Sequence, residues 1–164
     1  MLKDKELIKH NVGIYLQDIP VDPFTGFSSI PYKEAEQRYY FKFDFLNISI
    51  YKDVQSEQHL DLLISTEPDW KMLCDKTVVE GLFQLGDHFD ITCQMSPTSV
   101  EELAMLIAMI RPAKRHLIGK SWDDIRKEIW VKPTEGYYFK KSHSISYAIA
   151  IVVQMNLISG IKLS

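Results

Sequence analysis

Two cysteines in 164 residues, Cys74 and Cys93, are all the thiol chemistry this chain contains. They have no metal-ligand spacing and no partner histidines, which argues against a metal knuckle and against a disulfide-stapled framework. Buried free thiols in a reducing compartment are the expectation, favoured over a disulfide. His10, His59, His88 and His116 also lack ligand spacing, so no zinc site is expected. Met1 to His10 alternates charged and apolar residues, so no secretory leader is expected. The longest apolar run, Ile145 to Ile158, is too short to span a bilayer and contains Gln154 and Asn156. Repeats, low-complexity tracts and flexible linkers are all missing. These absences predict a cytoplasmic globular protein.

What is present fits that class. Hydrophobic residues at 46% and charged residues at 25% are ordinary globular values. The length allows one domain with a real core, or one with a small extension. A net charge of −3 argues weakly against a nucleic-acid binder, but its distribution argues the other way. Residues 1–110 carry nine Lys/Arg against eighteen Asp/Glu, whereas residues 111–141 carry nine against four. A basic segment on an acidic body suits a phosphate backbone or a triphosphate. The alternative is a solvated basic helix and loop.

The chain order predicts an α+β fold. Residues 10–50 read as strands and turns, with turn chemistry at Asp22-Pro23 and Thr25-Gly26. From Tyr39 to Ile50, aromatic and β-branched residues dominate. Tyr39, Phe41, Phe43 and Phe45 alternate with Tyr40, Lys42 and Asp44, so Lys42 and Asp44 share one strand face. From about residue 55 the pattern turns helical. The two parts are therefore drawn as 1–54, strand-rich, and 55–164, helical. Pro68 to Leu73 reads as a short helix. Thr98 to Ile110 is a longer one, with Thr98-x-x-Glu101 as a capping box and Pro112 past its end. Ser121 caps a helix with Trp122, Ile125 and Ile129 on one face. A last helix runs from about Ser142 to Ser159 and stops at Gly160. Its apolar content all round implies burial, and periodicity alone does not exclude a strand.

The start of that helix is the most informative stretch. Tyr138-Phe139-Lys140-Lys141-Ser142-His143-Ser144-Ile145-Ser146-Tyr147-Ala148 gathers two lysines, a histidine and a tyrosine. With Ser142 as cap, His143 and Tyr147 lie four residues apart on one helix face, and the lysines lie just outside the positive N-terminal end. Donors and a stacking ring at a helix start suit a triphosphate and its base. An ordinary capped helix with solvated lysines fits the same local pattern.

Residues 136–148 resemble the G-[YF]-x-F-N-K-S-H-[AS]-x-x-Y-A element of the fingers of bacterial DNA polymerase III α subunits, the C-family replicative polymerases. Further blocks occur upstream in the same order. Lys42-Phe43-Asp44-Phe45-Leu46 resembles that family's K-[FM]-D-F-L-G-L palm strand, and Gly81-Leu82-Phe83-Gln84-Leu85 its G-V-F-Q-[LF]-E-S. Pro97-Thr98-Ser99-Val100-Glu101-Glu102-Leu103, running on to Ile110-Arg111-Pro112, resembles P-x-[SC]-F-E-D-[LI] followed by R-P-G-P. His10-Asn11-Val12-Gly13-Ile14 is similar to H-A-[AC]-G-V-V, with Asp18-Ile19-Pro20 after it.

The resemblance implies a palm-edge segment followed by a fingers-like unit, acting in DNA replication. It implies that Lys141 and His143 face phosphates of an incoming dNTP, with Lys140 beside them, and that Tyr147 lies under the nascent base pair. Arg111 would sit near the triphosphate, and Lys42 would help neutralise Asp44. Each has a structural alternative: Tyr147 as a core aromatic, His143 as a satisfied helix-start histidine, Arg111 as a partner of its own helix dipole, Asp44 as merely exposed. Asp44 matches one of three palm carboxylates that hold two Mg²⁺ ions, and two-metal nucleotidyl transfer needs several. The P-D-x-D-x-D-F strand that supplies the other two has no counterpart here. The family's R-P-G-P is Arg111-Pro112-Ala113-Lys114, its E-S is Gly86-Asp87, and the asparagine of N-K-S-H is Lys140. The bridge between the last two blocks is shortened to Lys114–Glu135.

The chain alone is therefore not expected to polymerise DNA. Mg²⁺ is expected only with a partner supplying further carboxylates. Three roles follow from the resemblance: a piece of a split polymerase completed by a palm-bearing polypeptide, a module that binds nucleotide or primer-template DNA, or a protein-interaction module that engages or inhibits a replicase. Small, dense genomes such as those of phages are where so reduced a piece is expected.

Overall fold

The computed structural model describes residues 13–44, 49–134 and 138–162, with an α+β fold. The chain divides into two compact units, one ending at Ser49 and the other beginning at Ile50.

In the first unit, β1 (Gly13–Tyr15) and β2 (Lys42–Asp44) form an antiparallel ribbon. The register pairs Gly13 with Asp44, Ile14 with Phe43 and Tyr15 with Lys42. The Asp22 turn forms as its sequence predicts. Oδ1 accepts from Phe24 N at 3.0 Å and Thr25 N at 2.8 Å, an Asx turn that leads into the Val21–Ser28 bridge. Two features of this unit differ from expectation. Pro31 presets a helical turn, α1 (Tyr32–Gln37), inside a region read as strands and turns. The alternating strand expected from Tyr39 starts only at Lys42, because Tyr39 takes a left-handed φ of 63° that breaks the extended run. The Gln17 side chain patches that break, donating to Tyr39 O and accepting from Phe41 N.

The second unit is helical: α2 (Glu57–Ser65), α3 (Lys76–Gly81), α4 (Phe89–Met95), α5 (Val100–Met109), α6 (Trp122–Glu128) and α7 (Lys141–Ile158). Short 3-10 turns at Ser49–Asp53, Trp70–Cys74 and Pro112–Leu117 join them. Helix α5 is the centre: Leu103 to Met109 is buried throughout, and α7 packs along it. Truncating one such leucine to alanine costs about 2–5 kcal/mol. The capping box of α5 sits one residue later than Thr98-x-x-Glu101 predicts. Ser99 Oγ accepts from Glu102 N at 3.2 Å, and the Glu102 carboxylate accepts from Thr98 N at 2.7 Å. Ser121 caps α6 as expected, accepting from Asp124 N.

Polar groups on α7 fix its neighbours. Buried Asn156 donates to Leu63 O and Thr66 O, both at 2.8 Å, closing the C-terminal end of α2. Gln154 brackets a turn, donating to Gly81 O at 2.7 Å and accepting from Phe83 N at 2.9 Å. His59, buried at the start of α2, accepts from Gln55 N on Nδ1, so Nε2 carries the proton and donates to Ile161 O at 3.0 Å. Gly160 ends α7 with a left-handed φ of 76°. Among the described residues, no helix is long and apolar enough to cross a membrane.

Candidate functional site

Helix α7 begins at Lys141, with Lys140 as its N-cap, two residues earlier than a Ser142 cap would place it. Lys141 is thus inside the first turn. The first intrahelical bond runs from Ser144 N to Lys140 O at 3.0 Å, so the amides of residues 141–143 precede the ladder and lie at the positive end of the helix. No side chain caps them from Lys140.

Phe139, just before the helix and 6% exposed, organises the surroundings. The Arg111 guanidinium lies 4.8 Å from the centre of its ring, close enough for a cation–π contact. The Tyr147 ring stacks on Phe139 at 5.2 Å with planes 20° apart, and His143 approaches edge-on at 5.9 Å. Phe83 meets Tyr147 edge-to-face at 5.1 Å. Next to Phe83, Gln84 accepts from an Arg111 terminal nitrogen. Gln84 holds a left-handed φ of 64°, a conformation that costs a non-glycine residue about 1–3 kcal/mol and persists only where its surroundings enforce it. Three segments far apart in sequence therefore meet here: 110–112 and 138–148 contact the Phe139 ring, and 81–85 joins them through Tyr147 and Arg111.

Buried side-chain polar atoms without a hydrogen-bond partner gather at the same end of α7. Among the described residues they are Arg111 Nε, Trp130 Nε1 and Ser144 Oγ. Arg111 lies over Phe139, Lys141 Nζ lies 5.9 Å from the centre of the Trp130 ring, and Ser144 is in the first turn of α7. Buried polar groups are normally satisfied, so three orphans near one helix start call for an explanation. Two of them are donors only.

The basic segment is less uniform than its composition implies. Arg126 pairs with Glu101 and Asp123, Lys127 with Asp124, and Lys120 and His116 with Glu128. The hydrogen bond from His116, with Lys120 and Lys114 nearby, holds the Glu128 carboxyl below its usual range. Buried Lys114 spends its amine on Glu128 O at 2.8 Å. Much of α6 is thus self-neutralised, and Arg111, Lys140 and Lys141 flank the start of α7. Arg111 is felt locally: His88 is held below its usual value first by burial, then by Arg115 and Arg111, against an opposing pull from Asp87.

Of the residues singled out from sequence, Arg111, Lys140, Lys141, His143 and Tyr147 all lie at or around this helix start. Tyr147 is half-buried, with one ring face against Phe139. Lys42 lies in β2, 5.9 Å from the centre of the Tyr32 ring, and Asp44 ends that strand. The Asp44 side chain falls outside the described residues, as do His10–Val12, Phe45, Leu46, Gly136 and Tyr137. Among the described residues, no group of three or more His, Cys, Asp or Glu is placed to hold a metal.

Sequence reasoning missed Phe139, Phe83 and Gln84 as organisers. The aromatic at 139, just ahead of the helix that carries 143 and 147 on one face, was a usable signal. A cleft of about 370 Å³ lies at the opposite end of α7, between Ile50, Asp53, His59, Leu157 and Lys162. Cavity size and donor chemistry thus point to different ends of the helix. The donors weigh more, because His59 already uses both ring nitrogens within the fold. The chain matches no family model, no curated protein and no solved structure.

Proposed function

We propose that this chain binds the phosphates of a dNTP or of a primed DNA template at the start of α7 and acts in DNA replication. It would be a reduced counterpart of the polymerase III α fingers, in the bacterial cytoplasm, with phage genomes a natural source. The observation that carries the reading is the convergence on Phe139 of Arg111, His143 and Tyr147. The two segments that supply them, 110–112 and 138–148, carry much of the sequence resemblance.

In this reading the amides of 141–143 and the Lys141 amine receive phosphate oxygens. Arg111, held over the Phe139 ring and tied to Gln84, presents its Nε–H. These contacts pre-organise the guanidinium, so little rotamer entropy is lost on binding. Tyr147 shapes the site by packing. A partner polypeptide supplies the palm carboxylates for any Mg²⁺-dependent chemistry, with Asp44 as this chain's contribution.

The test is fluorescence anisotropy on a primed DNA template across a salt series, for wild type and Lys141→Ala/His143→Ala. Salt-sensitive binding that the double substitution weakens supports the reading, and no binding at low salt refutes it.

A second reading has its own support. Phe24 is 96%, Tyr39 89% and Phe41 61% exposed in the first unit, aromatic surface that suits docking on a replisome protein. Pull-down against replisome proteins separates it: tight capture that ignores Lys141→Ala/His143→Ala favours the interaction module.

A further inference from the structure

Cys74 and Cys93 are 19 positions apart, yet their sulfurs face each other at 2.7 Å, with the Cys93 thiol directed at Cys74. The expectation of buried thiols is corrected here: Cys74 is exposed and Cys93 partly so. We propose that Cys74 and Cys93 form a redox-active dithiol site that reacts with low-molecular-weight disulfides and closes to an intramolecular disulfide.

The backbone sets up the pair. Cys74 ends the 3-10 turn Trp70–Cys74, which Asp69 caps by accepting from Lys71 N at 3.0 Å. The next residue, Asp75, caps α3 through Thr77 N at 2.9 Å, so Cys74 is pinned between two capped elements. Cys93 is in α4, whose last turn closes on Ser96 in a left-handed conformation at φ 43°. Ser96 Oγ lies 3.7 Å from the Cys74 sulfur and donates to Cys93 O. The two thiols are thus presented on anchored segments, and a small χ rotation brings them to a bond of about 2.05 Å.

Exposure assigns the roles. Cys74, open to solvent, is the attacking thiol. Cys93 retains its proton more strongly, through its bond to Cys74, partial burial and the nearby Asp90 carboxylate, so it resolves. The Cys74 thiolate attacks one sulfur of a disulfide RSSR, forming Cys74–S–SR and expelling RS⁻, which takes up the proton Cys74 released. Cys93 then attacks the Cys74 sulfur, expelling the second RS⁻, which leaves as RSH with the Cys93 proton. Two protein thiols are oxidised and RSSR is reduced to two RSH.

The experiment exposes the full chain, reduced and folded, to oxidised glutathione, alkylates remaining thiols and reads the intact mass. The expected product is a monomer lacking two hydrogens, unalkylated at both positions and restored by dithiothreitol, with Tm raised by roughly 5–10 °C. Cys93→Ser should stop at a single glutathione adduct on Cys74. Its reduced-state Tm, compared with wild type, shows that the fold is kept. Full alkylation of both wild-type cysteines after exposure overturns the proposal, as does oxidation that yields only disulfide-linked dimers. The wild-type result stands without either variant.

Discussion

The Arg111 guanidinium lies 4.8 Å from the centre of the Phe139 ring, joining the segment just after α5 to the segment just before α7. One end of that arginine is tied to Gln84, and its buried Nε has no partner. The contact serves the fold and the candidate site together, and substitutions can separate the two.

Phe139→Ala removes the ring that Arg111, Tyr147 and His143 all meet. It should destabilise the chain by about 3–5 kcal/mol in urea unfolding, the usual range for a buried phenylalanine. Arg111→Lys keeps the charge but loses the guanidinium over Phe139 and the Nε–H. It should weaken binding of primed DNA by roughly tenfold with a much smaller stability change. Equal losses of stability in the two variants would assign Arg111 to packing alone.

Lys141→Ala should lower the slope of log affinity against log salt by about one, since one phosphate contact is lost. Arg126→Ala, on a side chain already engaged by Glu101 and Asp123, should leave that slope unchanged. Anisotropy at several salt concentrations reads both.

His88 gives a pH dependence with a definite sign. Burial, then Arg115 and Arg111, depress its imidazole below the usual 6.5, with Asp87 opposing. The folded state therefore disfavours its protonation. The His88 contribution to stability is fully present above pH 6.5 and is lost as pH falls from there through the folded value. His88→Gln should flatten stability across that window. Arg111→Gln should raise the His88 titration midpoint, read by NMR of the ring.

Asn156→Leu tests the join between α7 and α2. It deprives Leu63 O and Thr66 O of their donor and should cost about 1–3 kcal/mol. Hydrogen-exchange protection should fall first at the C-terminal end of α2.

The helices were legible where a cap and a 3.6-residue period agree, as at Ser121 for α6 and Gly160 at the end of α7. The α5 cap was misread by one residue because Thr98 and Ser99 precede consecutive glutamates, and only the side-chain geometry chooses between them. The strand from Tyr39 looked long because alternation is blind to backbone handedness, and the left-handed Tyr39 interrupts it. Helix α1 escaped notice because six residues carry almost no periodic signal. At the site, the residues around α7 were visible as a local cluster. Phe139 as hub was not, since Gln84, Arg111 and Phe139 are joined only by tertiary packing. The thiol pair was hidden for the same reason.

The most direct test of the central claim is a ¹H–¹⁵N NMR titration of the chain with a nucleoside triphosphate. The account predicts that the amides of Lys141, Ser142 and His143 and the Nε–H of Arg111 shift first and saturate together. Shifts confined to the cleft around His59 and Lys162, or none at the start of α7, would contradict it.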